Sequence, residues 1–446
     1  MHPETSSSAG SSYGEHDAPI DPQQADALVF LKALTAAQKV GEIEVQALVR
    51  ERLEQAGCAV DAIEYDPAKV PVVGEFAGGR AQMQGERTNV VGRLKGDPAY
   101  RSLLLFAHPD SEPLADLEHW KTDPLDGTVK DGRFYGWGVA DDLAGVAAAT
   151  LAIERAASQG IELGDVMMAS VPSKRHARGV AAVLHDGLTA DASLYLHPAE
   201  SGAGLNEIKA FASGHLEFRI TVGGKLPDTT EPGHTAFAHL AINPVDKAML
   251  VIAALKALDV ERSARVHNDT LDAAVGRSTN LMISNLQCGE DGRFGRVNDI
   301  CVIGGAASFP PGEAMADVQA EIEQCIVSCA AQDSWLRDNR PALEWVSGVT
   351  GAHCPPDHPL YQVTARAVSA VTGAEPHVNP MHTSSDIRNP PVQKGIPTVG
   401  LGGLCGDLSQ NGLTDEWVDL DDYFRTIDAT ADVIVGWCGS PRAASG

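Results

Sequence analysis

The chain has 446 residues, 43% of them hydrophobic and 21% charged, with a formal net charge of -26. This length exceeds what one core usually organises, so two domains are expected. An acidic balance of that size repels nucleic acid and anionic membranes, and no apolar run reaches the length of a bilayer span, so neither is expected as a partner.

Residues 1–24, rich in Ser, Gly, Pro and acidic side chains and without a basic start or an apolar core, read as a flexible tail rather than a signal peptide. The eight cysteines are scattered with no Cys-x-x-Cys pair, a usage that fits a reducing cytoplasm. Apolar residues at helical spacing over 25–57, closed by Gly57, predict two helices leading into a strand at 58–65. Residues 87–94 and 102–107 read as a strand pair. The second of these ends at His108-Pro109-Asp110, and strand ends are where sites are built. Tyr135-Gly136-Trp137-Gly138 then makes a tight turn that delivers Asp141 and Asp142 to the start of a small-residue helix over 143–160. A strand at 165–171, a helix at 179–185 and a strand at 192–196 ending in His197-Pro198 follow, and this alternation argues for a layered α/β domain.

At 214–223 the pattern changes to period two, as in a half-exposed antiparallel strand. A loop at 225–235, a helix at 243–258, strands at 279–287 and 300–306 and a helix at 312–331 complete that region. Cys325 and Cys329, one helical turn apart, read as packing on one helix face. From 341 the α/β pattern returns with a strand at 343–347, a helix at 360–372, a strand at 397–400 and a helix at 421–437. The expected organisation is a tail (1–24), a catalytic domain in two parts (25–212 and 341–446), and an α+β domain (213–340) inserted between them.

Taken together, His108-Pro109-Asp110, Trp120, Asp123-Pro124, Asp131-Gly132, Tyr135-Gly136-Trp137-Gly138, Asp141, the segment 383–388 ending in Asp386-Ile387-Arg388, and Asp415-Glu416-Trp417 resemble the M20 family of metallopeptidases and amidohydrolases. The resemblance implies a layered mixed-sheet catalytic domain with an inserted α+β lid that pairs with its copy, hence a homodimer or larger homo-oligomer. It also implies that His108 is a metal ligand, that Asp110 is the carboxylate orienting its imidazole, and that Asp141 is the residue that normally bridges two metals. The family's third ligand is acidic. Here residues 191–198 keep the spacing with His197 in its place, so His108, Asp141 and His197 are the expected ligands of one divalent ion, Mn, Zn, Co or Fe.

Other family positions depart from the pattern. Pro172-Ser173-Lys174-Arg175 stands where Pro-Asp-Glu-Glu would supply a general base and a second-metal ligand, and the late His of the second metal is met by Asn411 or Gly412. Losing those groups removes the two-metal mechanism. Glu200 is the first candidate for a replacement base and Asp142 the second. Lys174 and Arg175, with His176 and Arg178 beside them, read as a cluster for an anionic substrate, because Arg suits a carboxylate through its bidentate fork. Arg388 is either a second carboxylate clamp or a structural ion pair. His234, His382 and Asn411 complete the candidate substrate contacts.

The implied activity is metal-dependent hydrolysis of a C–N bond in a small anionic substrate. A reaction needing no strong carboxylate base fits: attack of metal-bound hydroxide on an electron-poor aromatic ring with loss of an amino group, as when 5-nitroanthranilate becomes 5-nitrosalicylate and ammonia. Two readings stay open beside it, hydrolysis of an N-acyl amino acid by a deacylase or carboxypeptidase, and a non-catalytic binding or assembly protein.

Overall fold

Three short apolar runs, Leu103–Ala107, Val166–Ser170 and Ala192–Leu196, are buried along their whole length. Strands covered on both faces read as continuous hydrophobic runs, and the pleat sends alternate side chains into two cores. Leu103, Leu105, Val166, Met168, Leu194 and Leu196 enter one core, while Leu104, Phe106, Met167, Ala169 and Tyr195 enter the other. In this computed structural model, which describes residues 21–77, 85–198, 202–379, 385–405 and 414–442, these strands are the centre of an eight-stranded mixed sheet. Its order is Ala59–Tyr65, Arg87–Leu94, Val166–Ser170, Leu103–Ala107, Ala192–Leu196, Thr398–Leu401, Glu207–Lys209 and His377–Asn379.

The expected pairing of 87–94 with 102–107 is corrected here: Val166–Ser170 lies between them, antiparallel to the first and parallel to the second. An apolar run announces a strand but not its neighbour. The crossover through the helix Ala144–Ser158 decides that, because a parallel connection needs a covering helix. That helix, together with Pro22–Ala37, Glu42–Gln55, Pro359–Thr372 and Leu420–Cys438, supplies the larger core; Gly179–His185 covers the opposite face. The first helix begins at Pro22, inside the stretch read as tail, because Asp21 caps it and exchanges a capping box with Gln24.

The second sheet is antiparallel and five-stranded, in the order Asn280–Cys288, Ile300–Phe309, Gly214–Gly223, Ala342–Val349 and Glu75–Ala77. Leu216, Phe218, Ile220 and Val222 point into its core and Glu217 and Arg219 away from it, the period-two pattern visible in the sequence. The helices Pro244–Arg265 and Met315–Gln332 close that core, with Cys325 and Cys329 packed half-buried against it. The first of these helices runs past the expected end at 258 because Arg262, 1% exposed, is held there by Glu313, Glu321 and Thr279. The strand Ala342–Val349, read as part of the returning α/β pattern, pairs instead with Gly214–Gly223. A small third sheet, Trp417–Asp419, Arg133–Tyr135 and Thr128–Lys130, frames the turn that follows Tyr135. Among the described residues no helix is long and apolar enough to cross a membrane.

Candidate metal centre

Two neighbouring parallel strands end at the same level, and each is followed at once by a histidine. His108 leaves Leu103–Ala107 and His197 leaves Ala192–Leu196, with their rings 5.7 Å apart. Between them stands Asp141. Its Oδ1 lies 2.7 Å from Nε2 of His108 and 3.0 Å from Nε2 of His197. All three side chains are buried, and they form the one buried group of metal-ligating side chains among the described residues; the other group of three, Asp116, Glu118 and His119, is fully exposed.

The donor set fits a cation. Nδ1 of His108 is 3.0 Å from the carbonyl of Asp110, and Nδ1 of His197 is 2.8 Å from that of Pro198. A carbonyl only accepts, so each Nδ1 carries a hydrogen and each Nε2 is turned toward Asp141, where a neutral ring presents a lone pair. Two lone pairs meeting one carboxylate oxygen require a positive charge among them. Without a metal ion a proton on His108 supplies that charge: burial works against it, yet the Asp141 carboxylate and the hydrogen bonds with Asp110 and Asp141 raise the His108 pKa well above the usual histidine range. Burial likewise works against an ionised Asp141, but Lys174 and His108 hold its carboxyl well below the usual range. Burial, helped by Lys209, lowers His197, so that ring stays neutral and ready to ligate. Tyr195 stacks on His197 at 5.0 Å and fixes its orientation.

Asp110 has its carboxylate behind His108, with Oδ1 3.5 Å from Nδ1. Its carboxylate accepts the backbone N–H groups of Ser173 and Lys174, both at 2.8 Å, which ties the loop after Val166–Ser170 to the His108 turn. Burial opposes the charge on Asp110, but His108 and those two N–H groups keep its pKa below the ordinary value.

Asp141 sits at the end of the Tyr135-Gly136-Trp137-Gly138 turn. Gly138 has φ 69°, and a Cβ there would stand 1.9 Å from Oγ of Ser111, so only glycine fits. The turn is held by Glu416, a residue whose role the sequence reading missed although it lies in the Asp415-Glu416-Trp417 signature. Its carboxylate accepts N–H from Gly138 at 2.7 Å, Ala140 at 2.8 Å and Asp141 at 3.2 Å. The signal available in the sequence was an acidic residue directly before the buried strand Trp417–Asp419. Burial pushes the Glu416 carboxyl up to about 8, with the charge of Asp141 adding to it and the three N–H groups opposing. Folded Glu416 therefore keeps a proton that the unfolded chain loses near 4.5. Its stabilisation is complete below pH 4.5 and is lost as pH rises from there through about 8. Glu416→Gln should remove that slope from urea-unfolding curves taken between pH 5 and 8, and should cost roughly 1–3 kcal/mol at pH 5 because an amide NH₂ now faces backbone donors.

Several expected site residues are placed elsewhere. Asp142, the second candidate base, is wholly buried; burial, with the nearby Asp141 charge, raises its pKa well above the carboxylate range. A carboxyl closed off from solvent is out of reach of a reacting water, and Asp142 instead accepts the backbone N–H of His108 at 3.3 Å. Arg388 is 2% exposed and is engaged by the carbonyls of Val73 at 2.6 Å and Gly74 at 3.0 Å, by Asn389 Oδ1 at 2.7 Å and by Glu75 at 3.4 Å. It is a structural tether rather than a free clamp. Glu75 also draws off Arg178 at 3.0 Å and His176 at 3.5 Å, so the basic cluster does not act as one patch. Lys174 turns inward to Oδ2 of Asp141, while Arg175, half-exposed, reaches Glu112 at 3.3 Å. His234 is exposed and its Nδ1 accepts the N–H of Ala236, capping the turn Thr235–Leu240 away from the ligand group. Glu200, His382 and Asn411 lie outside the described residues. A cavity of about 210 Å³ adjoins the centre on the Asp110 side, walled by Arg87, Trp137, Lys174 and Arg175 together with Glu42.

Residues 104–435 match the model of peptidase family M20/M25/M40. The chain is 25% identical over 419 residues to the N-formyl-4-amino-5-aminomethyl-2-methylpyrimidine deformylase of Halalkalibacterium halodurans, covering 90% of each chain. An M20 family metallo-carboxypeptidase from Sulfolobus solfataricus superimposes with a TM-score of 0.68 at 15% identity, over 93% of this chain and 98% of that one. A dinuclear metal binding M20 peptidase of Bacillus subtilis superimposes with a TM-score of 0.61 at 13% identity, over 94% and 99%. With the family model spanning most of the chain and including His108, Asp141 and His197, this protein belongs to peptidase family M20/M25/M40 and is a metal-dependent hydrolase of C–N bonds.

Proposed function

We propose that this chain removes nitrogen from a small anionic substrate with the help of one divalent ion held by His108, Asp141 and His197. The observation that carries the reading is the convergence of those three ligand atoms, with an ammonium, Lys174, in contact with the outer oxygen of Asp141. A divalent ion bound there supplies Lewis acidity and lowers the pKa of a coordinated water. The chain's own groups do the rest. The carbonyls of Asp110 and Pro198 fix the two imidazoles, Glu416 fixes the turn that carries Asp141, and Arg87, Lys174 and Arg175 line the adjoining cavity, paired with Glu42, Asp141 and Glu112.

The substrate we assign is an electron-poor aromatic amine bearing a carboxylate, with 5-nitroanthranilate as the specific case. Displacement of its amino group places the developing charge on the nitro-bearing ring, so it has little need of the carboxylate base that Lys174 replaces. The second reading is hydrolysis of an N-formyl or N-acyl group on a small molecule, supported by the deformylase likeness across both chains. Purified protein, dialysed and reloaded with Mn, Zn, Co or Fe, should release ammonia and 5-nitrosalicylate from 5-nitroanthranilate and should stop on chelation. Turnover confined to N-formyl, N-acetyl or N-succinyl compounds would replace the first substrate class by the second.

In the same reading the protein works as a homo-oligomer through the inserted sheet, whose strand Asn280–Cys288 lies at the edge with most of its side chains exposed. Light scattering on the full chain tests this: a monomer at micromolar concentration would remove it.

A further inference from the structure

The two oxygens of Asp141 have different partners. Oδ1 faces the Nε2 atoms of His108 and His197, whereas Oδ2 is in contact with the ammonium of Lys174. A carboxylate that bridges two metal ions offers one oxygen to each. Here the second oxygen already has a cation supplied by the chain.

Lys174 is held from both ends. Its backbone N–H donates to Asp110 Oδ2 at 2.8 Å, its side chain is only 15% exposed, and its ammonium closes on Asp141. The neighbouring cation, Arg175, turns outward to Glu112 and does not share the task. Among the described residues, no second buried group of metal-ligating side chains accompanies Lys174. The Asp110 carboxylate is committed to His108 and to the N–H groups of Ser173 and Lys174. A second dication at this place would meet a fixed positive charge and, among the described residues, too few ligands.

We infer that the Lys174 ammonium is a built-in substitute for a second metal ion on Asp141. It neutralises Oδ2, limits the centre to one divalent ion, and competes electrostatically with that ion for the carboxylate. The inference rests on reading His108, Asp141 and His197 as the first metal site.

The test is Mn(II) binding to the dialysed full chain, followed by calorimetry and by electron paramagnetic resonance. Wild type should take one Mn per chain and give the spectrum of an isolated ion. Lys174→Met should still take one Mn, bound about tenfold more tightly because the competing charge is gone, and Lys174→Arg should bind as wild type does. Two ions per wild-type chain with a spin-coupled spectrum, or an unchanged affinity in Lys174→Met, would overturn the substitution while leaving the first site in place. No Mn on wild type, with His108→Ala indistinguishable from it, would overturn the metal site and the inference together. The wild-type spectrum decides the question even if Lys174→Met does not fold.

Discussion

Asp141→Asn should abolish tight Mn or Zn binding and lower turnover at least about a thousandfold, the scale on which losing a group central to metal-assisted hydrolysis falls. The substitution keeps the shape of the side chain and removes only its charge. Three groups lose by it, because His108, His197 and Lys174 all converge on the two oxygens of Asp141. The raised pKa of His108 depends on that carboxylate, and the buried Lys174 ammonium loses its counter-charge with it. Breaking a buried ion pair in this way costs roughly 3–5 kcal/mol. The variant should therefore melt earlier than wild type in the metal-free state and should gain little from added Mn. Calorimetric titration and thermal unfolding with and without metal check both points, and Mn binding of wild-type strength in Asp141→Asn would place the centre elsewhere.

The second large effect is at Gly145. A Cβ at this position would stand 2.0 Å from the backbone oxygen of Leu196 and 2.3 Å from Oδ1 of Asp142. Leu196 is the last residue of the strand that delivers His197, and Asp142 supports the backbone of His108, so the helix cannot retreat without moving both ligands. Alanine is the better helix former on propensity alone, by about 1 kcal/mol. Backbone overpacking reverses the sign, and Gly145→Ala should destabilise the fold by about 3 kcal/mol while weakening metal affinity. Denaturant unfolding and Mn titration of the same sample measure the two together. A variant as stable as wild type would show that the close approach of helix and strand is not needed.

The buried residues of the central strands were readable because a strand covered on both faces must be apolar throughout, and their positions came out within a residue or so. The period-two pattern of Gly214–Gly223 was equally direct, since one face of that strand meets solvent. Which strands are neighbours was not readable. Val166–Ser170 separates Arg87–Leu94 from Leu103–Ala107, and Ala342–Val349 joins the second sheet, because partner choice depends on crossovers and on surfaces far apart in sequence.

The same division runs through the site. His108, Asp110 and Asp141 stood out in local sequence, because each follows a strand or a glycine turn, and the family resemblance added His197. The resemblance of those motifs to the M20 family gave the class of chemistry. Only the tertiary structure decided which charged residues are free to act. Arg388, His176 and Arg178 are all drawn to Glu75, Asp142 is sealed from solvent, and Glu416 reaches back 275 residues to hold the turn at Asp141. Lys174 meets Asp141 across the site. A side chain's partners are set by distance in space, and the low polarity of the interior makes those partners control whether it carries charge.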